Sequence, residues 1–293
     1  MSTQNTVNDT LKDDETNNTK NNENNASSLD LLTAFTDKVG GSQWVYRQLL
    51  KAMSEPATIL PLLPSAQSSS EQTASIATDI TIDVTIDVTT GIPELYPDDW
   101  HHQQLYRTTW SVAQALLDSD CKVHLSSVLD QKSVTQSLRF YTDAQVTKQP
   151  SLAQFALMNL EEFANTTDFA DKFSIGTLIA PHESCTLLIQ VAHISNGAST
   201  ENSTENRTEN RTEDSNENNN ASNESQLLLS GPGIKTQKNL AIEGLTQQQM
   251  AFLIDNNQQY PCGVDIIFCS PQHIAALPRS TEVQMSSTLT KVA

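Results

Sequence analysis

The sequence predicts an α/β domain built on a mixed sheet. Three observations predict it. Segments with a helical apolar period alternate along the chain with short, strand-like apolar runs. Low-complexity stretches interrupt that alternation without contributing to it. With residues 1–28, 65–91 and 197–225 set aside, roughly 210 residues remain, enough for one domain with a sizeable core.

The low-complexity stretches explain the composition. The chain has 293 residues, a formal net charge of −18 and 37% apolar residues, below the ~45–50% of a typical globular chain. Residues 1–28, 65–97 and 197–225 together carry −13 of that −18. Residues 197–225 read GASTENSTENRTENRTEDSNENNNASNES, with a Thr-Glu-Asn unit recurring every fourth residue. Such a sequence buries too little to offset the entropy of ordering it, so a solvated loop is expected. The Asn-x-Ser/Thr triplets in it are a by-product of the repeat. The boundaries that follow are a tail (1–28), one domain (29–283) with inserts at 65–91 and 197–225, and a C-terminal tail (284–293). Acidic, unpatterned surface repels phosphate backbones and disfavours nucleic acid. No apolar run approaches the ~20 residues of a membrane span. No charged start leads into an apolar stretch at the N-terminus, so a cytoplasmic protein is expected.

The first element is a helix over 42–54. Ser42 follows Gly40-Gly41 as its cap. Val45, Tyr46, Leu49, Leu50 and Met53 form one apolar stripe, while Arg47, Gln48 and Lys51 face outward. Pro56 disfavours helical backbone at Glu55, which stops the helix near Ser54. Residues 80–88, ITIDVTIDV, alternate as a strand does, yet sit in a tandem repeat beside a Ser/Thr run. A surface insert or an edge strand fits them better than a central strand. A helix (98–118), a strand (121–125), a helix (130–141), a strand (153–159), a short helix (159–164) and a strand (173–180) follow. The apolar runs 184–195 and 225–230 flank the low-complexity insert and suggest a hairpin with a lengthened turn. A helix (245–256), a strand (263–269) and a strand or helix (271–277) complete the order. Gly231-Pro232-Gly233 reads as a turn, since Pro232 has no N–H for a phosphate.

The chain carries no GxxxxGK[ST] loop and no GxSxG elbow. His182 and Cys185 form an HxxC without a second pair at zinc spacing, so no metal is expected. Cys121, Cys185, Cys262 and Cys269 lie far apart and read as buried free thiols. Asp265 interrupts the apolar run Val264–Phe268 and requires a partner if buried. Arg279 follows closely enough to supply it, either as a structural ion pair or as part of an anion site. Arg139, between Leu138 and Phe140 at a helix end, either binds an anion or reaches solvent. Arg47 and Lys51 are exposed interface candidates.

Five blocks then identify a family. YRQLLKAMSEP (46–56), QSLRFYTDA (136–144), GTLIAPHESCTLLIQVAHIS (176–195), LLLSGPGI (227–234) and YPCGVDIIFCSPQHIAALPRSTEV (260–283) occur in order and resemble the PhnH family, a subunit of the bacterial carbon–phosphorus lyase core complex. Ala57 departs from the family pattern, which has Gly there, so a different turn is expected at that point. The resemblance implies a three-layer α/β/α sandwich like the large domain of pyridoxal-phosphate-dependent transferases, without that cofactor. It implies a homodimer that joins PhnG, PhnI and PhnJ. With those partners it would serve transfer of ribose triphosphate from ATP to a phosphonate, as an alpha-D-ribose 1-methylphosphonate 5-triphosphate synthase. On that reading the chain is an accessory subunit and not itself catalytic. The alternative is a stand-alone small-molecule enzyme with an anion pocket of Arg139, Asp265 and Arg279 at a dimer interface.

Overall fold

The structure, a computed structural model, describes residues 31–33, 35–63, 86–87, 92–93, 95–96, 100, 102–164, 172–197 and 224–285. In chain order the elements are α1 (Lys38–Ser54), β1 (Leu60–Pro61), β2 (Ile86–Asp87), β3 (Ile92–Pro93), α2 (Arg107–Leu116), β4 (Lys122–Leu125), α3 (Lys132–Thr142), β5 (Gln145–Thr147), β6 (Phe155–Asn159) and α4 (Leu160–Ala164). There follow β7 (Thr186–Gln190), β8 (Ile194–Ser195), β9 (Glu224–Ser230), β10 (Lys238–Glu243), α5 (Gln247–Gln258), β11 (Asp265–Cys269), β12 (His273–Leu277) and β13 (Glu282–Met285).

Seven strands form the main sheet in the order β1-β12-β11-β7-β6-β4-β5. The run from β11 to β5 is parallel throughout, whereas β12 pairs antiparallel with both β11 and β1. The sheet is therefore mixed, as the sequence predicts. Its central strands are covered on both faces, which is why they read as continuous apolar runs. Side-chain alternation sorts them: Leu157, Leu188 and Ile267 enter one core, and Met158, Leu187, Ile189, Ile266 and Phe268 the other.

Three layers result. Helices α1, α2 and α3 cover the first face, with Val45, Leu49, Trp110, Val112, Val134 and Leu138 buried there. The second face is covered by α4 and α5 together with a four-stranded antiparallel sheet, β13-β9-β10-β8. That outer layer is thus part helix and part sheet. Short ladders account for this: β9 and β10 carry Leu227, Leu229, Leu240 and Ile242 inward at alternate positions, a period-2 pattern that only a strand satisfies.

Several element assignments change. The runs 184–195 and 225–230 do not form a hairpin. β7 joins the main sheet, while β8 and β9 flank β10, each antiparallel to it, so β8 and β9 run parallel. Residues 173–180 contribute one isolated bridge, Ile175 to Ser184, rather than a strand. α2 begins at Arg107 instead of residue 98. β1, β3, β5, β10 and β13 were not expected; of these, β1, β5 and β13 are short edge strands of the two larger sheets. Among the described residues, Ile86–Asp87 pairs with Ile92–Pro93 alone, apart from the main sheet. The rest of 80–88 lies outside the described residues, as do the tail 1–28, the C-terminal residues 286–293 and all but the ends of 197–225.

α1 starts at Lys38 rather than at 42. Asp37 caps it, accepting from the Val39 N–H at 3.0 Å, so Ser42 is not the cap. Gly40 and Gly41 lie inside the helix. A Cβ at Gly41 would fall 2.8 Å from Phe35 Cγ, so glycine there lets the Phe35 ring pack on the helix. The buried stripe is Gly41, Val45, Leu49 and Ala52. Tyr46 and Leu50, expected on it, are about half exposed. Ala57 adopts φ 63°, the left-handed backbone that glycine favours. The alanine carries the strain of that conformation.

Candidate functional site

In an open parallel sheet, ligands bind beyond the carboxyl ends of the strands, where successive connections leave on opposite faces. Here the connection after β4 carries α3 on the first face and that after β6 carries α4 on the second. The divergence falls between β4 and β6. Ser126 and Ser127 follow β4, and Asn159 ends β6. Ser127 donates its backbone N–H (2.8 Å) and its hydroxyl (3.1 Å) to Glu162 Oε2, and Asn159 Oδ1 accepts from the Glu162 N–H at 3.1 Å. The Ser126 N–H donates to Leu157 O. Its buried hydroxyl has no hydrogen-bond partner among the described residues.

Beyond β7 the segment leading into α2 is tied to the end of the sheet. Gln190 spends both ends of its amide there. Its Oε1 accepts from the Tyr106 N–H at 2.6 Å and its Nε2 donates to Gln104 O at 2.8 Å. Thr108 Oγ1 donates to Ser270 O at 2.6 Å, tying α2 to the end of β11. Arg107 lies over the rings of Tyr96 (5.6 Å) and Trp100 (5.8 Å). Burial raises the Tyr96 phenol far above its ordinary range, which keeps it neutral and bonded to Ser111 Oγ and Gln114 Nε2.

At the amino end of the same sheet, β11 opens with Asp265. Its Oδ1 accepts from the Arg279 backbone N–H (2.9 Å) and Nε (3.2 Å), and its Oδ2 from Nη2 (2.5 Å). Arg279 Nη1 donates to Pro181 O at 2.5 Å. Each guanidinium nitrogen therefore has a protein acceptor, and both side chains are largely buried. The strand starts at Asp265, so the carboxylate sits at the sheet margin instead of interrupting its middle. What the clamp holds is the loop 173–185. That loop is also tied by Gly263 N–H to Ile175 O (2.9 Å) and Cys185 N–H to Ser174 O (2.7 Å).

Of the five residues singled out in the sequence, the fold joins Asp265 and Arg279 only. Arg47 and Lys51 are exposed on α1, beside Tyr46 and Leu50. Arg139 is exposed in the last turn of α3, next to the exposed Phe140. β11 is separated from β5, where α3 packs, by three strands. Sequence reasoning missed Gln190, Ser126, Ser127 and Glu162. Gln190 had a legible signal, a polar residue ending an apolar strand; the Ser127–Glu162 contact spans 35 residues and had none.

The four thiols are free. Burial pushes Cys269 up to about 12 and Cys185 higher still, which makes both unreactive. Cys121 and Cys262 are only half-buried, contrary to expectation. Among the described residues no three His, Cys, Asp or Glu side chains gather to hold a metal ion, and no helix is long and apolar enough to cross a membrane.

Two comparisons bear on this arrangement. The model of the family described as Bacterial phosphonate metabolism protein (PhnH) matches residues 88–284. The span runs from β3 into β13 and includes Arg139, Asp265 and Arg279, whereas α1, with Arg47 and Lys51, precedes it. The alpha-D-ribose 1-methylphosphonate 5-triphosphate synthase subunit PhnH of Rhizobium meliloti (strain 1021) is 27% identical over 174 residues, covering 59% of this chain and 72% of that protein.

Proposed function

The chain belongs to the PhnH family, and from that premise we propose that it is an accessory subunit of an alpha-D-ribose 1-methylphosphonate 5-triphosphate synthase. In this role it helps PhnG, PhnI and PhnJ process phosphonates and leaves bond-making to them. The observation that carries the reading is the family match over two thirds of the chain, joined to a relative whose name gives that complex. The geometry supports it. Arg279 is consumed by Asp265 and Pro181, and Gln190 by the backbone before α2. Polar groups used in this way hold the body together.

The same reading makes the chain a cytoplasmic homodimer. The outer face of α1, with Val39, Tyr46 and Leu50 exposed beside Arg47 and Lys51, is the surface we assign to self-association. Asp265, Arg279 and Arg139 then serve structure or interface rather than substrate. The experiment is co-expression of the tagged chain with the other three subunits. Stoichiometric co-purification, and ribose-triphosphate transfer that requires this chain, are expected. A chain that stays apart from the others, or turns over ATP and a phosphonate alone, overturns the reading.

A further inference from the structure

Leu178 and Ile179 are the most exposed large apolar residues among those described, at 78% and 96%. They form a two-residue tip between Thr177 and Ala180. Tips of this kind ordinarily hold Gly, Asn, Asp or Pro, whose backbones suit the turn. Two aliphatic side chains there add nothing to the protein's own core.

The tip is held firmly. The Thr177 N–H donates to Ala180 O at 3.2 Å, and the Ala180 N–H returns to Thr177 Oγ1 at 3.0 Å. Gly176, at φ 75°, lets the two limbs close: a Cβ there would lie 2.7 Å from Pro181 O. That same Pro181 carbonyl accepts from Arg279 Nη1, whose other nitrogens are fixed on Asp265. Ser174 Oγ donates to Glu183 O at 2.8 Å across the base. The ion pair thus aims an apolar knob outward from the sheet margin.

We propose that the Leu178–Ile179 tip is the anchor by which this chain docks into an apolar socket on a different subunit of the assembly. The inference rests on the assembly reading above and names its contact. A pre-ordered tip loses little freedom on binding, and interfaces concentrate their energy in a few such desolvated anchors ringed by polar groups. Exposed Thr177, His182 and Glu183 supply that rim. A second copy of this chain fits poorly. Self-association is assigned above to the outer face of α1, which leaves the tip for a different subunit, where it anchors a wider contact rather than forming one alone. The long insert fits no better, because residues 198–223 contain no large apolar side chain.

The test uses the full chain carrying Leu178→Ser with Ile179→Ser, beside Leu178→Met with Ile179→Val and the unaltered protein. Melting temperature and solution mass are measured for each alone, then affinity for an immobilised PhnG–PhnI–PhnJ complex. The serine pair is expected to keep its melting temperature and mass while binding about 100-fold more weakly. The Met/Val pair should bind within about threefold of the unaltered protein. Unchanged binding by the serine pair overturns the proposal. So does a lowered melting temperature, which shows the tip covered by its own chain, or a changed mass, which shows it covered by a second copy. Failure of the unaltered protein to bind removes the assembly reading itself, and that arm reads separately.

Discussion

Gly233 lies against the carbonyl of Ser54: a Cβ built on Gly233 would fall 2.0 Å from that oxygen. The turn after β9 is thereby pressed onto the last residue of α1, and Lys238 reinforces the contact by donating to Thr58 Oγ1 at 3.0 Å. Gly233 also has φ 82°. Gly233→Ala therefore meets both a backbone clash and left-handed strain. A loss of at least about 2 kcal/mol is expected, read as a lower denaturant midpoint. A variant as stable as the native chain would show that the two segments separate freely.

Ala57 presents the reverse case. It is buried and holds φ 63°, where an L residue with a Cβ is strained by about 1–2 kcal/mol. Ala57→Gly removes that strain but gives the unfolded chain more freedom, which offsets part of it. A net gain of about 0.5 kcal/mol is expected, with the melting temperature as readout. A decrease would mean that the methyl's packing in the second core outweighs the strain.

These two sites show what the sequence discloses. The positions of α3, α5, β6 and β11 were legible, because their apolar spacing is set by the core they face and needs no distant information. The Ser54–Gly233 approach was not, since no local pattern says that two turns 179 residues apart meet. Strand pairing failed for a related reason. The run SCTLLIQ is apolar whether it pairs with β9 or with β6 and β11, and only the whole sheet decides. The Asp265–Arg279 pair was legible because a carboxylate beside apolar strand residues demands a cation, and the nearest in sequence was the right one.

Asp265 and Arg279 make a coupled unit. Asp265→Ala leaves a largely buried guanidinium with a single carbonyl acceptor and frees the Arg279 N–H. A loss of about 2–3 kcal/mol is expected. Adding Arg279→Ala should cost less than its own single-variant loss, leaving a coupling of about 1–3 kcal/mol in a double-mutant cycle. Strict additivity would show that the pair contributes nothing beyond its separate parts.

Acid sensitivity follows from two histidines. Burial lowers His124 and Lys172 lowers it further, opposed by the hydrogen bond between Nδ1 and Thr147 O (3.3 Å) and by Glu162 and Asp130. Burial also lowers His273, aided by His193. The ordinary value is 6.5. An unfolded chain therefore takes up protons near that pH while the folded chain resists to lower pH. Their stabilising contribution is complete above the ordinary value and is lost as pH falls below it. The urea midpoint should drop between about pH 7.5 and about pH 5.5, and His124→Gln with His273→Gln should flatten the drop. An equal slope in the double variant would assign the effect to other groups.

The insert between β8 and β9 supplies the last prediction. Both strands pair with β10, at Ala241–Ser195 and Ala241–Gln226, so their facing ends lie at one level with a single strand between them. Two strand spacings amount to about 10 Å, a gap that a few residues span. Residue Gly197 already crosses toward β9: a Cβ there would stand 3.4 Å from Gln226 Cδ. Replacing residues 198–223 with about eight Gly and Ser residues shortens the closure and lowers its entropic cost by about 1 kcal/mol. The register of β8 and β9 on β10 is set by their own buried positions, Ile194, Leu227 and Leu229, and does not pass through the insert. The shortened chain should therefore melt at the same temperature or slightly higher and co-purify with its partners unchanged. Loss of assembly without loss of stability would give the acidic repeat a binding role of its own.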